Sequence, residues 1–237
     1  MELGLGGAVV LVVGGRGYLG REIARQFALE GAQVIIASRD AAGLAAAAAE
    51  AGPGVRPQRL DAASADSVAE AIDAVAEEFG HIDVLVDCAA PSARTLDTAR
   101  SSDPELVLEA TAAKAIGYLR VANAVLPGMI ARGSGRIVFV SGQNAQITGN
   151  LAGSVRNGAV AAIAKNLADA AAGTGVTVNT IHPGIVVDKP NPVPLPGRFG
   201  ETSPAQVAAV AVFLGSRPAA GISGEVIAVG HRLMGVI

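Results

Sequence analysis

The stretch Val9–Asp40, "VVLVVGGRGYLGREIARQFALEGAQVIIASRD", decides the fold. It opens on an unbroken aliphatic run and turns through Gly14, Gly15, Gly17 and Gly20. A helix-length segment follows, then a second aliphatic run, "QVIIAS" (33–38). Runs without alternation are how strands covered on both faces read. Strand, glycine turn, helix and strand make a crossover unit, which joins parallel strands. Gly15-x-Gly17-x-x-Gly20 fits the dinucleotide fingerprint, with Gly14 as a fourth glycine. Such glycines let the backbone approach a pyrophosphate, and the helix N-terminus adds N–H groups and a positive dipole end. A turn that only packs helix on strand is the alternative.

The same rhythm continues along the chain. The opening run is "AVVLVV" (8–13), and further short runs are "VRPQRL" (55–60), "DVLVDC" (83–88), "RIVFVS" (136–141), "VTVNTI" (176–181) and "EVIAV" (225–229). Between them the pattern predicts helices near 18–30, 41–51, 64–79, 104–131, 152–172 and 204–215. Strict alternation over residues 1–237 predicts one α/β domain: a doubly wound, seven-stranded parallel Rossmann sheet with helices on both faces. No internal repeat or linker interrupts it. The proline-rich segment 186–203 is the exception. Its prolines exclude a regular helix or central strand, and a long irregular loop at a strand's carboxyl end marks a substrate loop. It is short and stiff for a lid.

Composition narrows the function. Hydrophobic residues make up 51% and aromatics 3%, so the core is aliphatic. The net charge is −3 and Lys and Arg do not cluster, which argues against a nucleic-acid surface. The lone thiol, Cys88, rules out a disulfide framework and suits a reducing cytoplasm. No apolar stretch approaches the ~20 residues of a membrane span, and the N-terminus lacks a secretory leader. His81, His182 and His231 are not paired with cysteine or carboxylate at ligand spacing, so no metal site is expected.

Several residues bear on a cofactor. Arg39, at the end of the second strand, suits the 2′-phosphate of NADP(H), whereas a carboxylate there would hold the ribose of NAD. Asp40 stands one step later and is read as capping the next helix. Asp61 either hydrogen-bonds an adenine amino group or caps the helix starting near Ser64.

The chain resembles the short-chain dehydrogenase/reductase family over essentially its whole length. The resemblance rests on the opening stretch and on "DVLVDCAAP", "NAVLPGMIARGSGRIVFVSG", "NGAVAAIAKNLA", "VTVNTIHPG" and "AAVAVFLGSRPAAGISGEVIAV". It implies NAD(P)(H)-dependent interconversion of small carbonyls and alcohols. It also implies a nucleotide site built from Gly14, Gly15, Arg16, Gly17, Tyr18, Leu19, Gly20, Arg39, Asp61, Ala89, Pro183 and Gly184. Tyr18 stands where the family has its middle glycine; Gly14-x-x-Gly17-x-x-Gly20 is nearer the family's extended branch.

The family's catalytic tetrad does not carry over. Its tyrosine falls on Gly153 and its lysine on Asn157, its asparagine on Lys114, and its serine on Ser141 or Gly142. No tyrosine lies between 119 and 237. The family's Asn-Asn-Ala-Gly reads Asp87-Cys88-Ala89-Ala90, and its threonine after Pro-Gly falls on Asp188. These changes fall on the nicotinamide side and imply weakened binding there.

The residue types at 114 and 157 look exchanged, so Lys114 returns an ammonium to the same space from the opposite helix. Tyr118, one turn on, offers a phenol beside it. Lys114, Tyr118 and Ser141 are thus the candidate catalytic residues; Cys88, His182, Asp87 and Asp188 are lesser ones. Three functions remain open: an oxidoreductase with non-standard acid/base groups, a pseudoenzyme that binds dinucleotide or partner, and a non-redox lyase, isomerase or cyclase. The resemblance further implies a homodimer or homotetramer through helices 104–131 and 152–172. The apolar ending "LMGVI" is expected to be buried in such an assembly.

Overall fold

The computed structural model describes residues 2–91 and 97–233. Seven parallel strands form one sheet: β1 (Val9–Val13), β2 (Gln33–Ser38), β3 (Arg56–Arg59), β4 (Val84–Asp87), β5 (Gly135–Val140), β6 (Val176–Pro183) and β9 (Val226–Val229). Their spatial order is β3-β2-β1-β4-β5-β6-β9. The order reverses at β1, and the crevice beside a reversal is where ligands bind in open α/β sheets.

The aliphatic runs are continuous because the sheet is covered twice. Along β1, Val9, Leu11 and Val13 enter one core with Val121, Val125 and Phe139. Val10 and Val12 point the other way, into a core with Ile23, Phe27 and Val207. The first layer holds α3 (Ala65–Phe79), α5 (Gly117–Arg132) and α6 (Leu151–Ala170). The second holds α1 (Tyr18–Leu29), α2 (Leu44–Ala51) and α7 (Pro204–Gly215).

Two expectations need correction. The helix expected over 104–131 is divided into α4 (Pro104–Thr111), a π-helical turn over Ala112–Ile116, and α5. The wider turn buries Lys114 and Ala115 while leaving Ile116 exposed. Apolar periodicity cannot reveal one extra residue in a turn, and such bulges gather at functional sites. The proline-rich segment, expected to be wholly irregular, is pinned at its ends by two short parallel strands, β7 (Ile185–Val186) and β8 (Glu201–Thr202). They form a separate ribbon outside the main sheet. Of the ending "LMGVI", only Leu233 lies among the described residues.

Candidate active site

The turn after β1 explains its glycines. Gly14 has φ +84, and a Cβ there would stand 2.6 Å from the Ala89 nitrogen. A Cβ on Gly20 would meet the Gly14 carbonyl oxygen at 2.3 Å. Helix α1 therefore starts directly against the turn. Its N-cap, Gly17, supplies no side-chain cap, so the first-turn N–H groups stay available to an anion.

Beside this turn lies a cavity of about 550 Å³ whose lining includes Gly14, Gly17, Arg39, Asp61, Ala89 and Pro91. The volume falls in the range of small-molecule and cofactor sites. Arg39 and Arg16 both line it. Asp40 does not cap α2, as the sequence reading had it; Gly43 is that helix's N-cap. Asp40 instead accepts the Ala42 N–H at 2.9 Å and pairs with Arg16 at 3.1 Å. Ser64 caps α3, accepting from the Ser67 N–H. Asp61 is left to accept the Ala63 N–H at 3.0 Å while lining the cavity.

On the far side of the turn the Tyr18 hydroxyl donates to the Asp188 carboxylate. That bond ties the start of α1 to the loop after β6. Tyr18 is 47% exposed, so its ring points away from the packed turn.

A second cluster lies at the carboxyl ends of β4, β5 and β6. Lys114 is buried and its Nζ donates to Asn157 Oδ1 at 2.9 Å. The Ser141 hydroxyl stands 3.1 Å from the Asn157 carbonyl oxygen and 3.3 Å from the same Oδ1. The Asn157 amide oxygen thus gathers an ammonium and a hydroxyl. Burial holds the Lys114 ammonium down to about 7, and the charge of Arg156 adds to the effect. Burial pushes the Asp87 carboxyl up to about 8, against the opposing pull of the Ala89 N–H and Lys114. Its Oδ2 has no partner among the described residues.

The Gly153 N–H donates to the side-chain oxygen of Asn150, the N-cap of α6, at 2.9 Å. A Cβ there would lie 3.3 Å from Asn144 Nδ2. Two asparagine side chains therefore crowd Gly153.

Residues 8–190 match the short chain dehydrogenase family. The chain belongs to that family. A D-threitol dehydrogenase from Mycolicibacterium smegmatis is 34% identical over 93% of this chain and 90% of its own length. A 3-oxoacyl-(acyl-carrier-protein) reductase from Vibrio cholerae is 30% identical over 94% and 96%. Among solved structures, a short chain dehydrogenase from Bacillus anthracis superposes with a TM-score of 0.82 at 27% identity, over 94% and 95% of the two chains. Actinorhodin polyketide ketoreductase with NADPH gives 0.81 at 27%, over 94% and 96%.

Within this short-chain dehydrogenase, the structure brings Lys114, Asn157 and Ser141 together but sets Tyr118 apart. Tyr118 is 1% exposed, and its hydroxyl donates to the Val140 carbonyl at 2.9 Å. Lys114 Nζ faces its ring, 5.8 Å from the centroid, rather than its oxygen. Burial drives the phenol's pKa well above its usual value. Cys88 is similarly quiet: its thiol donates to the Val13 carbonyl, and burial raises its pKa. Pro183 ends β6 and pairs in register with Val229, and the Gly184 N–H donates to the Val229 carbonyl. His182 is buried, its Nε2 lacks a partner among the described residues, and burial lowers its pKa to about 4.

Sequence reasoning passed over Arg156. It is 3% exposed, with Nη1 donating to the Pro91 carbonyl at 3.3 Å. The available signal was an arginine one residue before Asn157 in an alanine-rich helix.

Proposed function

We propose that this short-chain dehydrogenase is an NADP(H)-dependent oxidoreductase that interconverts a small carbonyl compound and its alcohol, with Lys114 in place of the missing tyrosine–lysine pair. The observation that carries the reading is the 2.9 Å bond from Lys114 Nζ to Asn157 Oδ1, with the Ser141 hydroxyl on the same oxygen. A buried ammonium with a pKa near 7 is matched to proton transfer at neutral pH. Ser141 is the hydroxyl that orients the substrate oxygen. Tyr118 has a packing role, since its hydroxyl is already bonded to Val140.

The residues present fit the adenosine half of the cofactor. The tight Gly14 turn, the uncapped start of α1 and the arginine pair supply a diphosphate cradle and a 2′-phosphate reader. The nicotinamide half, when bound, supplies or accepts the hydride. Asp188, bonded to Tyr18 at the start of α1, sets a carboxylate beside the diphosphate position and weakens cofactor binding.

Two further readings accompany it. Leu108, Leu151 and Val155 are exposed apolar residues on α4 and α6, the helices expected to build a homodimer or homotetramer. The lone thiol suits a reducing cytoplasm; among the described residues no helix is long and apolar enough to cross a membrane.

The test is NADPH oxidation over a panel of small ketones and aldehydes, with wild type beside Lys114→Met. Turnover by the wild type that Lys114→Met abolishes supports the reading. Equal rates in the two proteins contradict the role of Lys114, and no turnover with any carbonyl contradicts the activity.

A further inference from the structure

The cluster around Asn157 has an unbalanced charge. Among the described residues the buried groups near it are two cations, Lys114 and Arg156, one carboxyl, Asp87, and the imidazole of His182 and the phenol of Tyr118, both of which burial favours neutral. A buried cation is costly unless it is paired and hydrogen-bonded. Arg156 is poorly provided for. A guanidinium carries five N–H donors. The contacts found are one long bond, from Nη1 to Pro91 at 3.3 Å, and Nε is buried without a partner among the described residues.

Asp87 does not make up the deficit. One of its oxygens holds the Ala89 N–H, the other is unpartnered, and burial favours its neutral form. The carbonyl that Arg156 reaches belongs to Pro91, which lines the 550 Å³ cavity with Ala89, Ala90 and Ala113. Ala113 directly precedes Lys114. The guanidinium therefore lies against the back of a cavity-wall residue, one position before Asn157, whose side chain holds Lys114 and Ser141.

A planar, fixed fork of donors recognises a carboxylate through two parallel hydrogen bonds, which a lysine cannot reproduce. We propose that the substrate carries a carboxylate and that Arg156 reads it, the substrate class being an oxo acid and its hydroxy acid. The carboxylate supplies the missing negative charge, occupies the idle donors of Arg156 and leaves the carbonyl toward Lys114 and Ser141. This inference rests on the oxidoreductase reading above and names the substrate class for the same site.

The experiment compares pyruvate, acetoacetate and levulinate with their methyl esters, in wild type, Arg156→Lys and Arg156→Gln. The three acids set the carbonyl at increasing distance from the carboxylate. Steady-state NADPH oxidation gives KM and kcat. Calorimetric titration of the NADPH-loaded protein with each acid gives binding independently of turnover. The expected result is a preference of about tenfold or more in KM for at least one acid over its ester, as loss of a charged hydrogen bond implies. That preference disappears in Arg156→Gln and is partly kept in Arg156→Lys.

Acid and ester treated alike by the wild type, no acid bound at all, or a preference that survives Arg156→Gln would each overturn the inference. If Arg156→Gln does not fold, the wild-type comparison and Arg156→Lys still decide. Turnover of neutral ketones without acid preference removes the Arg156 assignment alone. Failure of the wild type to bind NADPH removes the oxidoreductase reading itself.

Discussion

Lys114 Nζ and Asn157 Oδ1 lie 2.9 Å apart, joining the π-helical turn between α4 and α5 to helix α6. The bond brings an ammonium and a carboxamide together from two different helical segments. The ammonium occupies a buried site, where electrostatic effects are larger than in water, and it is the group on which the proposed chemistry depends.

Lys114 should set the pH dependence. With its pKa held down to about 7, the charged form able to donate a proton exists below that pH and is lost above it. The rate of carbonyl reduction should fall as pH rises through about 7, and alcohol oxidation should fall as pH drops below it. The charge of Arg156 lowers the pKa of Lys114, so Arg156→Gln should move both limbs to higher pH. Rate profiles in both directions check this; limbs that stay in place in Arg156→Gln would contradict it.

Arg39 and Arg16 should read the 2′-phosphate. Losing a hydrogen bond to a charged group costs about 1.5–3 kcal/mol, or roughly ten- to a hundredfold in affinity. Arg39→Ala should lose that much for NADPH and little for NADH. Asp40→Asn frees Arg16 from its 3.1 Å ion pair and should tighten NADPH. Calorimetry with both cofactors measures the pair of effects.

Asp188 should oppose the cofactor. Its carboxylate accepts from Tyr18 at the start of α1, where a diphosphate would lie. Asp188→Asn removes the negative charge and should lower the NADPH dissociation constant severalfold at low salt. The gain should shrink as salt screens it; tighter binding by the aspartate form would contradict the placement of the diphosphate.

Gly14 should tolerate no side chain. Its φ of +84 and the 2.6 Å approach to the Ala89 nitrogen both penalise Ala. Left-handed backbone costs an L-residue about 1–2 kcal/mol, and the steric clash adds to it. Gly14→Ala should lower the urea midpoint and abolish nucleotide binding.

His182 should destabilise the fold in acid. Its folded pKa of about 4 lies below the free value of 6.5, so the unfolded chain binds the extra proton first. Its contribution is complete above about 6.5 and is lost as pH falls toward 4, at about 1.4 kcal/mol per pH unit at most. Asp87 works oppositely: its raised pKa makes the native state gain stability as pH falls from about 8 toward 3.8. Urea midpoints of His182→Gln and wild type between pH 7 and 4 should therefore converge as pH drops.

The sheet was legible because its strands are buried on both faces, which leaves aliphatic runs without alternation. The meeting of Lys114 with Asn157 was legible too, from the expectation that the two residue types had exchanged places. The π-helical turn was not, because one extra residue leaves no compositional trace. Nor were the pairs Arg16–Asp40 and Tyr18–Asp188. Each partner stood out singly, but pairing across 24 and 170 positions depends on side-chain direction, which spacing does not carry. Arg156 was hidden because charged residues on helices normally face water; only the packing reveals that this one does not.

The most direct measurement is NADPH oxidation by wild type, Lys114→Asn, and the double variant Lys114→Asn/Asn157→Lys. If the relocated ammonium drives the chemistry, the single change should cost about a hundredfold or more in kcat. The double variant, which returns the lysine to α6, should recover a substantial part. A single variant as active as wild type, or a folded double variant that recovers nothing, would contradict the account.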